Sequence, residues 1–315
     1  MRTDPECQHG VEVIDPYRWL ERGDDPDVQQ WVAEQNAATR SALDVRPDRA
    51  RWAERLTELM ALPVVLGVEL RAGTVVVLER PEGAPQARLV ATRLADVGDR
   101  SRDVVIVDPA DAAADAAAAV DWFELSPDGT LVAYGVSEGG TEDSVLRVAR
   151  TADGSDLGEA IPHTRACSVG WEPDGSGFCY TRYPEGDEYH RTVHHHALGD
   201  PWADDPVVWA DHPTPQTWPS VEVSPDGRYV LVTAMASWSR DDVHLLDRSS
   251  GEWRDVVRGA DGRTAFGFAA DSASLSGVTT IDASNGRAVR VPLSDGVPGP
   301  WVELVPERDD VVLGA

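Results

Sequence analysis

Hydrophobic and polar positions follow two different rhythms along this chain, and the change falls near residue 63. Before it, Val28, Trp31, Val32, Ala38, Ala42 and Leu43 recur at the 3.6-residue spacing of a helix that runs to about Val45. Asp25 offers a capping oxygen and Pro26 a preset first turn. Pro47-Asp48 opens a second helix with Trp52, Leu56, Leu59 and Met60 on one face, and Pro63 ends it. About sixty residues are too few to bury a core of their own, so 1–63 reads as a helical arm that packs on something larger.

From Val64 onward the period is two. Strand-like runs occupy 74–81, 87–94, 103–109, 130–136, 144–151, 177–183, 192–198, 229–235, 242–247 and 287–293, separated by turns rich in Gly, Asp, Pro and Ser. Pro-Asp-Gly recurs at 127, 173 and 225, 46 and 52 residues apart, each time between two short strands. Pro presets the first corner of a β-turn, and Asp and Gly supply the side-chain acceptor and the positive φ. Four short strands per forty to fifty residues is the spacing of a propeller blade. Residues 64–315 therefore predict an all-β propeller of about five blade-like units: 64–110, 120–162, 166–210, 218–258 and 264–306. The last unit has Ala-Asp-Ser in place of Pro-Asp-Gly. The alanine-rich stretch 108–124 lies between units and reads as a connecting loop with one helical turn.

Charge narrows the partners. There are 55 acidic residues against 28 basic ones, every one of them Arg, for a net charge of −27. Such a surface repels nucleic acid and anionic membrane, so neither is an expected partner. Without lysine there is no Walker-A phosphate site, Schiff base or Ser–Lys dyad, and no cofactor is expected. Cys7, Cys167 and Cys179 are odd in number and lack CxxC spacing. With a polar start and no apolar run of about 20 residues, they predict a cytoplasmic protein.

Three motifs carry candidate chemistry. Gly135-Val136-Ser137-Glu138-Gly139-Gly140 spells the G-x-S-x-G pattern of a serine nucleophile elbow. An elbow needs a helix after the turn, and the residues that follow alternate like a strand, so Ser137 reads as a blade residue. His194 and His196 would share one side of a strand with His195 opposite, but spacing offers no third ligand and no metal site is assigned. The eleven tryptophans read mainly as packing between blades, except Trp19, Trp31 and Trp52 in the arm.

The text of these segments resembles the prolyl oligopeptidase family of serine peptidases. HGVEVIDPYRWLE (9–21) and VQQWVAEQNAATRSAL (28–43) are similar to its N-terminal arm. FELSPDGTLVAYGVSEGG (123–140), VGWEPDGSGFCYTRYPEGD (169–187), HALGD (196–200) and VEVSPDGRYVLVTA (221–234) follow the order of its propeller. The resemblance implies a seven-bladed propeller capping an α/β-hydrolase domain whose Ser-Asp-His triad cleaves short peptides after proline. It implies that the hydrolase part lies outside these residues, so no catalytic residue is assigned among them. A separately encoded α/β-hydrolase half, packing on the arm, is the implied partner, with peptides as substrates once it is present. The resemblance also places Ala166-Cys167 and Val208-Trp209 nearest the substrate, although family members carry other residue types there. The competing expectation is a free-standing propeller used as a binding or scaffold module.

Overall fold

The computed structural model describes residues 4–111 and 118–314, in two compact units, 1–62 and 63–315. The first unit opens on a hairpin that the periodicity did not predict, Asp4–Gln8 against Val11–Asp15. Its two-residue turn puts both His9 (φ 50°) and Gly10 (φ 81°) in the left-handed region, the geometry that matches strand twist. Histidine is an unusual first residue for that turn, so the signal was weak. The two expected helices follow as Pro26–Leu43 and Arg49–Ala61. Asp25 Oδ1 accepts from the Asp27 amide at 2.9 Å and caps the first. Trp19 meets Trp31 edge to face at 6.3 Å. Trp52, Leu56, Leu59 and Met60 form the expected stripe, and all four side chains are exposed.

The second unit is a succession of antiparallel sheets in chain order, an all-β propeller domain that follows the short helical arm in sequence. Blade 1 is Val64–Arg71, Thr74–Arg80, Arg88–Arg93 and Val104–Val107. Blade 2 is Ala118–Leu125, Leu131–Glu138 and Val145–Arg150, closed at its edge by the bridges Leu146–Ile161 and Ala149–Asp156 instead of a continuous fourth strand. Blade 3 is Val169–Trp171, Gly177–Arg182, Thr192–Ala197 and Val207–Trp209. Blade 4 is Trp218–Val223, Tyr229–Ser237, Arg240–Asp247 and Glu252–Val257. Blade 5 is Thr264–Phe268, Ser274–Thr279 and Arg287–Ser294, the last pairing with both Val297–Pro298 and Val302–Val305. The alanine-rich stretch departs from its expectation. Pro109–Asp111 is a 3₁₀ turn, 112–117 lie outside the described residues, and Ala118 already begins the first strand of blade 2.

The repeated turns work as their composition demands. Gly129, Gly175 and Gly227 have φ of 71°, 70° and 73°. The preceding aspartates, Asp128, Asp174 and Asp226, each accept from the amide two residues on. In blade 5, Ser272 takes the left-handed position itself at φ 56°, and its hydroxyl accepts from the Asp226 amide. The variant turn is thereby tied to the turn of the preceding blade.

Apolar residues of alternate strand positions meet between blades. Val76, Leu89, Leu125, Val132 and Tyr134 join blades 1 and 2. Leu146, Ile161, Trp171 and Phe178 join blades 2 and 3, and Val193, Trp209, Val221 and Val230 join blades 3 and 4. Leu231, Leu245, Phe266 and Leu275 join blades 4 and 5.

Glutamates on the first strands reinforce this order. Glu69 accepts from the Leu125 amide at 2.9 Å and Glu222 from the Phe268 amide at 3.2 Å, each reaching the first strand of the next blade. Among the described residues the Glu124 carboxylate, on the first strand of blade 2, has only the Arg71 guanidinium at 4.0 Å. Burial, then the charge of Glu69, push its carboxyl up to about 7 against the pull of Arg71. A carboxyl raised on folding binds more protons folded than unfolded, so its contribution to stability falls as pH rises from about 4.5 to 7. Glu124→Gln is therefore expected to raise the melting temperature at pH 8 and leave it unchanged at pH 4.5. Its side chain is still 37% accessible, so water screens part of the effect. Equal melting shifts at both pH values would show that Glu124 is not the titrating group.

Candidate functional site

The loop between the two middle strands of blade 3, residues 183–191, folds back through its own polar groups. Asp187 accepts from the Tyr189 amide at 2.7 Å and faces His190 Nδ1 at 2.8 Å. The Tyr183 amide donates to the His163 carbonyl, across from blade 2. The loop ends at Arg191, the bulkiest wholly buried side chain of the described residues. Its guanidinium donates to the Ala166 carbonyl at 3.0 Å, the Arg165 carbonyl at 2.7 Å and the Tyr183 hydroxyl at 2.7 Å. It lies 4.4 Å from the ring centres of both Tyr183 and Trp218. Among the described residues no carboxylate is bonded to it; carbonyl dipoles and aromatic faces stand in for a counter-ion. Its backbone carbonyl accepts from His212 Nε2 at 2.6 Å, and His212 packs on Trp209. One buried cation thus holds the connection from blade 2 to blade 3, the blade 3 loop and the connection to blade 4.

Beside this anchor lies a cleft of about 770 Å³. Val136, Glu138, Val145 and Arg147 line it from the middle strands of blade 2, and Thr141 and Asp143 from the hairpin between them. His163 and Arg165 come from the following connection, and Tyr183, Pro184, Gly186, Asp187 and Glu188 from the blade 3 loop. Arg165 and Tyr183, both held by Arg191, form part of its wall. The basic wall residues face acids: Arg165 pairs with Glu142 at 2.7 Å and Arg147 with Asp156 at 3.5 Å, and His163 Nδ1 lies 3.6 Å from Asp143. A neighbouring hollow shares His163, Tyr183 and Pro184 and is lined further by Trp202 and Arg182, whose guanidinium lies over the indole ring.

The histidine run is used structurally. His196 is wholly buried, with Nε2 3.0 Å from Glu159 and Nδ1 3.0 Å from Asp205. Glu159 also accepts from the Gly199 amide, and Asp205 from the Tyr180 hydroxyl. His194 takes the same side, as strand geometry requires, but Arg182 donates to its Nε2, so Nδ1 carries the proton toward the Asp205 carbonyl. Burial and Arg182 together hold His194 below the usual imidazole range. His195 points the other way, to Glu172 at 3.1 Å. Burial would raise the Glu172 carboxyl, but hydrogen bonds from His195 and Arg248 outweigh it and bring it to about 2.

Ser137 pairs with Ala119 in the blade 2 ladder, is buried, and is followed by a turn and another strand. Among the described residues no histidine or carboxylate bonds to its hydroxyl. Of the four residues placed nearest the substrate, Ala166 alone presents an exposed side chain, and it sits at a left-handed φ of 43°. Cys167 Sγ donates to the Thr181 carbonyl, and burial pushes its thiol up to about 12. Val208 packs against the blade 3–4 core, and Trp209 is part of it. Arg191 and His212 bring the two pairs into one network, a role no local pattern in the sequence signals. Among the described residues the site can hold and orient a ligand, and neither Cys167 nor Ser137 is activated for attack.

Comparison with known proteins accounts for this architecture. Residues 1–315 match the family described as "Prolyl oligopeptidase, N-terminal beta-propeller domain". Prolyl oligopeptidase A of Galerina marginata is 28% identical over 264 residues, 74% of this chain and 36% of that protein. The prolyl endopeptidase of Elizabethkingia meningoseptica is 23% identical over 311 residues, 96% of this chain and 43% of its own. Among solved structures, a prolyl endopeptidase studied for inter-domain dynamics in catalysis and specificity superimposes with a TM-score of 0.85 at 27% identity. That likeness covers 98% of this chain and 46% of the other. The chain spans less than half the length of the relatives it matches. It belongs to the prolyl oligopeptidase family, as that family's N-terminal β-propeller domain.

Proposed function

We propose that this propeller is the substrate-admitting part of a prolyl-oligopeptidase-type serine peptidase acting on short proline-containing peptides. The triad belongs to an α/β-hydrolase part outside these 315 residues, supplied as a separately encoded half that packs on the arm. The match of the whole chain to the propeller domain, over less than half of its relatives' length, carries this reading. The exposed stripe of Trp52, Leu56, Leu59 and Met60 supports it, because an apolar helix face in water calls for a partner. The network around Arg191 and the exposed Ala166 supply a surface for peptide, and Cys167, Val208 and Trp209 support it from behind.

The test is hydrolysis of a fluorogenic proline-containing peptide by the 315-residue chain, alone and mixed with an α/β-hydrolase half expressed separately. The expected result is no hydrolysis alone, and activity on mixing that is lost when the arm is removed. Hydrolysis by the chain alone that disappears in Ser137→Ala would overturn the reading. A monodisperse chain that melts sharply and ignores the hydrolase half would favour a free-standing binding module.

A further inference from the structure

We propose that the cleft between the blade 2 hairpin and the blade 3 loop binds a cationic group of a peptide, an ammonium or guanidinium. This rests on the peptidase reading for its ligand class and adds to it a charge-selective subsite. The volume, about 770 Å³, suits several residues of peptide. The wall is mixed, with Val136, Val145, Tyr183 and Pro184 for apolar contact and polar groups above them.

The pairing of the wall charges sets the sign. Arg147, Arg165 and His163 are each matched by an acid, as described above, and Asp187 is matched by His190. Glu138 and Glu188 are left over: neither carboxylate has a hydrogen-bond or ion-pair partner among the described residues. One lines the cleft from the end of a blade 2 strand and the other from the blade 3 loop. An anion entering here would meet two uncompensated negative charges and, among the described residues, no unpaired arginine. A cationic group would pair with a carboxylate while its chain lies on Tyr183 and Pro184. The wall that receives it is rigid, because Arg191 fixes Arg165 and Tyr183 from behind. The net charge of −27 draws cations toward the whole surface and raises the encounter rate.

Isothermal titration of the 315-residue chain with three hexapeptides of one proline-containing sequence tests this. One has a free amino terminus and no basic side chain, one is N-acetylated and neutral, and one is N-acetylated with a single arginine. At least one cationic peptide should bind about tenfold more tightly than the neutral one, and which of the two does so identifies the group. Glu138→Gln and Glu188→Gln should each weaken that binding about fivefold, with the difference vanishing in 1 M salt. Both side chains are exposed, so the variants should melt with the parent chain. Equal affinity for the neutral peptide, or unchanged affinity in the double variant, would overturn the proposal. Binding is read on the chain alone, so a failed complementation assay leaves this result intact. Absent binding beside successful complementation removes the subsite and keeps the peptidase.

Discussion

Replacing His196 by alanine is expected to destabilise the propeller by about 3–5 kcal/mol, read as a fall in the urea midpoint. The ring is wholly buried between the Glu159 carboxylate on the closing segment of blade 2 and the Asp205 carboxylate in blade 3. Both imidazole nitrogens face carboxylate oxygens at 3.0 Å, so the ring stands between the two acids. Deleting it leaves two buried acids facing a hole, each keeping a single neutral donor, Gly199 N–H or the Tyr180 hydroxyl. That is the costly way to break a buried ionic cluster, because the survivors remain dry and unpaired. Converting Glu159 to Gln in the alanine background should recover part of the loss by removing one of the stranded charges. A loss below about 1 kcal/mol for His196→Ala, or no recovery on neutralising Glu159, would show that the cluster does not bind blade 2 to blade 3.

The second large effect is expected at Arg191. Arg191→Met keeps an apolar stem of similar reach but strands the Arg165 and Ala166 carbonyls and removes the cation from between Tyr183 and Trp218. The expected loss is about 2–4 kcal/mol. Arg191→Lys should recover little, since an ammonium cannot serve two successive carbonyls and a hydroxyl in one plane while stacking on both rings. The loss should be local as well as global: amide exchange at 164–168 and 183–190 should quicken, where the strained Ala166 is released, while amides of blade 5 keep their protection. A lysine variant that melts and exchanges like the parent would show that charge alone, without the fork, holds these connections.

The expectations that came true rest on local signals. A Pro-Asp-Gly turn can be read from three residues because its geometry needs only those residues: an Asp acceptor and a Gly at positive φ. The unbroken apolar runs Val75 to Leu78 and Val230 to Val232 report strands covered on both faces, and consecutive residues in each are buried. The His9-Gly10 hairpin was missed for the same reason, since its turn lacks the usual Asn-Gly or Asp-Gly pair. The site was hidden more deeply. Arg191 meets Arg165 and Ala166 across 25 residues or more, and His196 meets Glu159 across 37. Nothing in the periodicity of the neighbouring strands marks the partner, and an arginine at the end of a loop reads as solvent-facing until the aromatic residues around it are seen. The triplet His194-His195-His196 suggested a shared ion because strand geometry aligns two of the rings; their carboxylate and carbonyl partners come from segments that spacing does not connect.

The inter-blade cores impose a particular kind of cooperativity. Each hydrophobic cluster couples one blade to the next in sequence, so the propeller domain behaves energetically as a row of springs rather than as one droplet. In such a row the length over which unfolding is all-or-none is set by its weakest coupling. The imidazole clamp and the buried guanidinium both sit at the joint between blades 2 and 3. Loosening that joint would divide the row into a two-blade and a three-blade block that melt independently. The polar reinforcement is concentrated where the row also opens into a cleft of about 770 Å³, so the fold braces with buried charge the same joint at which it leaves space.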